Sequence, residues 1–410
     1  MLNNLNTKKA AMWLAIVAIG SLALSAALFF NFGSSDLFGS PWLSINGKFT
    51  TDIDEKKSLE IADLKNLHLG SSSTDINIFA TDDQIITAHL HGTISSSKEG
   101  HLPALVVKKT GDSGSISIEW PRILIMGFSN SNLKLDIYLP RTYTEKLNIE
   151  SSSANLSFEE LTVASFKATT SSGDLFGKNV SAGEIVLKSS SGNFEVSVNS
   201  TGSISLESTS GDFILDSVKG KTVTRRTSSG LTRIAEMESG DFTFNSSSGN
   251  LKIGSLNTVV SNLESSSGEI EVNGVSMEKV VVKTTSGDIT WEGLVSKSTQ
   301  TGTSSGKTVL SGTPGILNHK SSSGDIDIDF YTLTNNVKIE TSSGHSTLKI
   351  PSETEFGINY SASSGRIKLK GFEATVNGSI EENNFKGYVG SNTNMIEILA
   401  TSGDAEISKK

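Results

Sequence analysis

Four residue patterns in this 410-residue chain could do chemistry. Serine is the most conspicuous, in tracts such as Ser171-Ser172-Gly173 and Ser190-Ser191-Gly192. A serine nucleophile needs a strained elbow and a neighbouring base. The one Gly-x-Ser-x-Gly match, Gly302-Thr303-Ser304-Ser305-Gly306, is itself one of these repeated tracts, and no histidine recurs with the tracts, so corner serines are the structural reading. The second pattern is an acidic residue directly after glycine, at Asp174, Asp212, Asp288, Asp325 and Asp404, where a calcium-binding repeat would place its ligands. Other tracts carry Asn193, Asn250 or Glu269 there, and others Leu231, Lys307, His345 or Arg366, which a cation ladder would not tolerate. A turn-capping acceptor accounts for the aspartates. Third, Asp325, Asp327 and Asp329 alternate along one strand face, with Arg225, Arg226 and Arg233 several repeats away. Clustered carboxylates with a basic residue are what polysaccharide cleavage requires, but a solvated face explains these. Fourth, His89 and His91 sit at i and i+2, which on a strand puts both rings on one face. Two imidazoles without cysteine or a recognisable carboxylate set make a weak metal site, and surface histidines are the simpler reading. Regular hydroxyl columns could also match a lattice such as ice, but they flank glycine at a corner beside strand faces of mixed charge. No catalytic, cofactor-binding or metal-binding residue is therefore assigned, and the chain is expected not to be an enzyme.

The elements behind these patterns follow from a repeat. The marker glycines fall at Gly173, Gly192, Gly211, Gly230, Gly249, Gly268, Gly287 and Gly306, every interval being 19 residues. Gly324, Gly344 and Gly365 follow at intervals of 18, 20 and 21. Gly403 lies 38 further on, as though one marker were lost, and Ala154 stands 19 before Gly173. Apolar residues keep step at offsets +2, +4, +7, +12 and +14, as in Ile270, Val272, Val275, Val280 and Val282. Alternation at +2/+4 and +12/+14 is strand periodicity, so each coil carries two short strands, with +7 at a corner. One coil cannot bury its apolar face alone; stacked coils form ladders of like residues around a thin core. The expected fold is an all-β β-solenoid of about fourteen 19-residue coils, flattened and two-sided, about 65 Å long at strand spacing. Glycine at the corner would supply a positive φ, and the hydroxyls would bond local backbone and one another up the stack.

Five segments are expected: a cytoplasmic stretch 1–9, a transmembrane helix 10–30, a juxtamembrane linker 31–59, an irregular N-terminal β cap 60–145 and the repeat domain 146–410. Ala10 to Phe30 is 21 residues without a charge, long enough to span a bilayer. Lys8 and Lys9 precede it and no basic residue follows until Lys48, so the amino terminus is cytoplasmic and the body extracellular. A cleaved signal peptide, ending near Ala23-Leu24-Ser25 or Ser25-Ala26-Ala27, is the rival reading. In the cap, Leu64, Leu67, Leu69, Ile76 and Ile78 flank a degenerate Ser71-Ser72-Ser73 corner, and the tail from Met395 to Lys410 reads as a last coil. Net charge is −9 without a basic tract, which excludes nucleic acid as a partner. The absence of cysteine excludes disulfides, a thiol nucleophile and a lipidated-cysteine anchor.

The run Leu133-Lys134-Leu135-Asp136-Ile137-Tyr138-Leu139-Pro140, then Leu147-Asn148-Ile149 and iterated Ser-Gly-Asp coils, resembles a bacterial "putative adhesin" family of unknown function. That family includes Lia-type accessory proteins of the envelope stress response. The ending Asn394-Met395-Ile396-Glu397-Ile398 to Thr401-Ser402-Gly403-Asp404 is similar to the family's close. The resemblance covers roughly residues 60–410. It implies a β-solenoid at the envelope, for some members a role in sensing or resisting envelope damage, and no shared catalytic residues. The function expected is thus a non-catalytic binding or regulatory role at the cell envelope, with the membrane as one partner through the N-terminal helix. Cell-wall polymer, antimicrobial peptide or a membrane sensor protein would be the other. A surface adhesin is the alternative and an envelope polysaccharide-acting enzyme the second alternative.

Overall fold

The computed structural model describes residues 49–96, 102–121, 128–377, 381 and 383–410. The expected transmembrane helix at 10–30 lies outside them; among the described residues no helix is long and apolar enough to cross a membrane. Two compact units are distinguished. The larger, 53–92, 103–119 and 133–410, contains the repeats. The described part of the smaller is strand ends, where Thr50 and Ser95 hydroxyls hydrogen-bond at 3.0 Å.

The repeats form an all-β solenoid of parallel coils in which residue n pairs with n+19. Phe194 lies beside Phe213, Val196 beside Leu215, and Ile204 beside Val223. The ladders are buried: Phe213, Leu215, Val218 and Val223 are at most 1% exposed. Phe194 and Phe213 stack with centroids 4.5 Å apart. Two departures from the expected coil stand out. From Gly173 to Thr284 each coil is one 15-residue strand, such as Phe213–Thr227 or Leu251–Ser265, rather than two. Between glycine corners the chain bends within the strand, through register shifts such as that between Thr258 and Val260. From Ile289–Val295 and Ser298–Thr303 onward the two expected strands are separate.

The stack is also shorter in line than expected. About eleven turns follow one another in chain order, opening at Ala154 and ending with the coil of Gly344. The carboxy-terminal coil does not continue outward. Its strands Met395–Ala400 and Ala405–Lys409 slot between Val337–Thr341 with Ser346–Ile350 and the earlier pair Phe356–Ala362 with Ile367–Lys370. No marker is lost between Gly365 and Gly403. The intervening Asn384–Val389 is a return strand, antiparallel to Phe356–Ala362. The amino-terminal end is permuted in the same way. Asn66–Ser71 sits between Ser113–Glu119 and Lys146–Ser151, and Asp75–Thr81 between Phe128–Pro140 and Leu156–Glu159. Antiparallel Ala104–Thr110 then covers the edge of Ser113–Glu119. Antiparallel cover at both ends occupies backbone groups that a parallel stack would leave as open edges.

The glycine corner works by space rather than by φ. Of the markers from Gly173 to Gly403 only Gly230 has a positive φ (96°). A Cβ at Gly192, Gly211, Gly268, Gly287 or Gly306 would lie within 2.0 Å of the carbonyl oxygen of the preceding marker glycine. The same contact gives the stacking order at the far end: Gly344 over Gly324, Gly403 over Gly344 and Gly365 over Gly403. Coils therefore touch backbone to backbone at these glycine corners, and no side chain larger than hydrogen fits there.

Candidate functional site

The corner hydroxyls are structural. From Gly173 to Gly344 the residue three before each marker, one before the Ser-Ser pair, is a Ser or Thr, and in seven of these ten coils it accepts a hydrogen bond from the glycine N–H. Thr170 Oγ1 does so for Gly173 (2.9 Å), Ser189 Oγ for Gly192 (2.6 Å), Thr303 Oγ1 for Gly306 (2.9 Å) and Thr341 Oγ1 for Gly344 (2.9 Å). The motif that matters is thus Ser/Thr-Ser-Ser-Gly; the first hydroxyl was present in the sequence but hidden by the more regular pair. Ser71 plays the same part for Thr74 at 3.0 Å, so the degenerate corner is a true coil.

The residues after glycine cap the next coil. Asp174 Oδ1 accepts from Asn193 N (2.8 Å), Asn193 Oδ1 from Asp212 N (3.0 Å), Asp212 Oδ1 from Leu231 N (2.6 Å) and Asp404 Oδ1 from Arg366 N (2.9 Å). The acceptor binds the backbone of its neighbour, so the neighbour's side chain is free to be Leu231, Lys307 or Arg366. This explains a column that mixes acids with bases.

Asp325, Asp327 and Asp329 do share one outward face, and each is engaged. Asp325 Oδ1 accepts from His345 N at 2.8 Å, Asp327 pairs with Lys307 at 2.5 Å and Asp329 with Lys410. Of the arginines once grouped with them, Arg225 is not on a solvated face but fully buried. It occupies the core position held by Leu206 and Phe244 in the adjoining coils. Its guanidinium lies 3.8 Å from the Phe213 ring centroid and donates to Thr232 Oγ1 (3.0 Å) and the Arg226 carbonyl (2.6 Å). Nη2 has no partner, and burial lowers the group to about 9, with the Asp212 charge opposing. Five coils along the same ladder, His319 is 2% exposed, with Nδ1 3.0 Å from Thr301 Oγ1 and Nε2 unpartnered. Burial pushes its imidazole down to about 4. Periodicity alone could have placed both side chains in the core, since each falls on an inward-facing strand position.

Two surface features remain. Four successive coils each expose one apolar side chain on the bend midway round from the glycine: Val259 (36%), Met277 (50%), Val295 (46%) and Ile316 (47%). Val259 and Met277 line one depression together with Gly220, Gly240 and the polar Lys221 and Glu238. Elsewhere the outward faces carry charge pairs between neighbouring coils, such as Lys188–Glu207 (2.8 Å), Lys219–Glu238 (2.8 Å) and Lys252–Glu271 (2.6 Å). The Lys188 ammonium holds the Glu207 carboxyl below the usual range.

The second feature is at the cap. Strand Ile85–Ser96 buries Ile86, Ala88 and Leu90, so His89 and His91 face outward together, as their spacing implied. Their rings lie 4.5 Å apart. His89 Nε2 is 2.6 Å from Asp54 Oδ1 and His91 Nε2 is 2.9 Å from Asp136 Oδ2. The imidazole hydrogen bond holds the Asp54 carboxyl below its ordinary value. Among the described residues, His89, His91 and Asp136 are the group whose ligand atoms approach closely enough to hold a metal ion, all within 4.8 Å. The carboxylates missing from the sequence reading come from strands remote in the chain. Phe79 and Tyr138, stacked at 5.6 Å, are exposed on the adjoining strands Asp75–Thr81 and Phe128–Pro140.

No curated protein matches the chain. Among solved structures, it is similar to a "putative cell adhesion protein" from Clostridium sporogenes, at 13% identity, 88% of this chain, 100% of that one and a TM-score of 0.19. It is also similar to a "putative adhesin" from Parabacteroides merdae, at 10% identity, 68% of this chain, 96% of that one and a TM-score of 0.28. A third, a "putative adhesin" from Bacteroides fragilis, matches at 10% identity, 89% of this chain, 99% of that one and a TM-score of 0.19. The family model described as Toastrack DUF4097 matches twice in succession, over residues 64–240 and 231–408. The two matches meet inside the unbroken strand Thr232–Ser246, so two family lengths form one continuous stack. With nearly all of the repeat region accounted for, the chain belongs to the Toastrack DUF4097 family.

Proposed function

We propose that this protein is a non-catalytic surface-binding protein, an adhesin, whose solenoid is carried outside the cell by the segment 10–30 as a single-pass anchor. The apolar row Val259, Met277, Val295 and Ile316 carries the reading. Exposed apolar side chains on four successive coils, on a surface that also carries charge pairs, mark an interaction site. The serines and aspartates that suggested catalysis or calcium hold the stack together, which leaves contact through extended faces as the activity the geometry supports. Adhesion is also what the three similar solved proteins are named for.

The test uses cells displaying the full-length chain. Detachment force from a second cell surface is measured for wild type, for Met277→Ser/Ile316→Ser, and for the charge-pair control Lys252→Ala. The row predicts at least a tenfold loss of adhering cells for the double variant only. Equal adhesion by all three overturns the reading, as does capture of antimicrobial peptide or a membrane sensor with no surface contact, which would favour an envelope-regulatory role. In the same cells, external protease should remove the body and spare a tag at Met1; the reverse pattern refutes the topology.

A further inference from the structure

The cap cluster has features of a metal site that surface histidines alone would lack. The two imidazoles lie on one strand face at i and i+2, and a carboxylate from another strand completes a two-histidine, one-carboxylate set. Each ligand is itself oriented. Asn77 Nδ2 donates to Asp136 Oδ1 at 2.8 Å, which leaves Oδ2 directed at His91. Asp54 engages Nε2 of His89, leaving the other ring nitrogen free. Carboxylates or amides behind the ligands in this way are the usual support of a metal-binding imidazole. Burial differs usefully as well: the Asp136 side chain is 14% exposed and His89 17%, while His91 at 35% leaves a way in from solvent.

We propose that His89, His91 and Asp136 bind one divalent transition-metal ion, of the imidazole-preferring class Zn2+, Ni2+ or Cu2+, as a clasp across strands of the N-terminal cap. Ligand atoms around a tetrahedral ion at about 2.0–2.1 Å stand about 3.3 Å apart. The present spread of 4.8 Å closes by rotation of the partly exposed side chains, without backbone movement. The ion takes the place of the proton that His91 Nε2 shares with Asp136 Oδ2, and that proton moves to Nδ1 of the same ring. Nitrogen donors with a single carboxylate disfavour Ca2+ and Mg2+, and among first-row ions Cu2+ binds tightest. The physical consequence is structural. The ion joins Ile85–Ser96 to Phe128–Pro140 side by side, strengthening the pairing at the amino-terminal end of the stack.

The experiment titrates Zn2+ into tag-free, full-length protein by calorimetry. One ion per chain is expected. His91→Ala and Asp136→Asn should weaken binding at least tenfold, and Asn77→Ala about tenfold through loss of ligand orientation. His68→Ala, on strand Asn66–Ser71, should leave it unchanged. Two further readouts separate a built site from loss of fold. Hydrogen exchange in Ile85–Ser96 should slow on Zn2+ addition in wild type but not in His91→Ala. Cu2+ should show an electron-spin spectrum with two imidazole nitrogens, reduced to one in His91→Ala. Absence of saturable binding, or unchanged affinity in the double variant His89→Ala/His91→Ala, overturns the proposal.

Discussion

Gly268→Ala tests why the repeat needs its glycine. The added Cβ would lie 2.0 Å from the Gly249 carbonyl oxygen, 2.6 Å from its carbon and 2.8 Å from Ser265 Oγ. Ordinary carbon–oxygen contact is about 3.2–3.5 Å, so two backbones would have to part by about 1 Å. Each is hydrogen-bonded to coils on both sides, as Ser267 N to Ser247 O and Ser286 N to Ser266 O show. The expected cost is about 1–3 kcal/mol, as for other overpacked sites. Solenoids open locally rather than as one unit, so hydrogen exchange of segments spanning 249–287 is the suitable assay. The cost corresponds to exchange roughly 5- to 150-fold faster there, fading over neighbouring coils. Gly268→Asn discriminates the mechanisms. A positive-φ requirement would let asparagine rescue what alanine loses; a space requirement makes asparagine at least as harmful. Gly111 gives the converse case, with φ 61° and nothing within 4 Å of its would-be Cβ. There Gly111→Asn should be milder than Gly111→Ala. Unchanged exchange in Gly268→Ala, or rescue by asparagine, would refute the argument from space.

Two core groups give further tests. His319 is held neutral by burial, with a folded value of about 4 against 6.5 for a free imidazole. The unfolded chain therefore binds the extra proton between those values, so stability is full above about pH 6.5 and is lost as pH falls towards 4. The loss is about 3 kcal/mol. Denaturant titrations at pH 7 and pH 4 should show it in wild type and not in His319→Gln; an equal pH effect in both would count against it. For Arg225, replacing a buried cation by an apolar side chain should be neutral or stabilising, up to a few kcal/mol. Arg225→Leu restores the ladder between Leu206 and Phe244, whereas Arg225→Ala leaves a void and should destabilise. A fall in the denaturation midpoint of Arg225→Leu at pH 7 as large as that of Arg225→Ala would refute this account.

The period, the inward positions and the marker column were legible from the sequence because every coil repeats the same local problem. Apolar residues at +2, +4, +12 and +14 must face inward, and the corner must repeat in register, so a one-dimensional pattern suffices. Even Arg225 and His319 could be placed by position, since backbone pairing fixes the direction of a side chain regardless of its polarity. What the repeat could not carry was anything depending on which backbone lies next to which. The reason for glycine is a contact between coils 19 residues apart, visible only once Gly249 and Gly268 touch. The permuted ends are a choice made by unpaired sheet edges, which place Met395–Lys410 inside the stack and Phe356–Lys370 at its far side. The Asp136 and Asp54 carboxylates reach His91 and His89 because three strands distant in the chain lie side by side. Sequence spacing determined that both rings share a face; only the tertiary pairing decided what they face, because their partners are set by strand order rather than by distance along the chain.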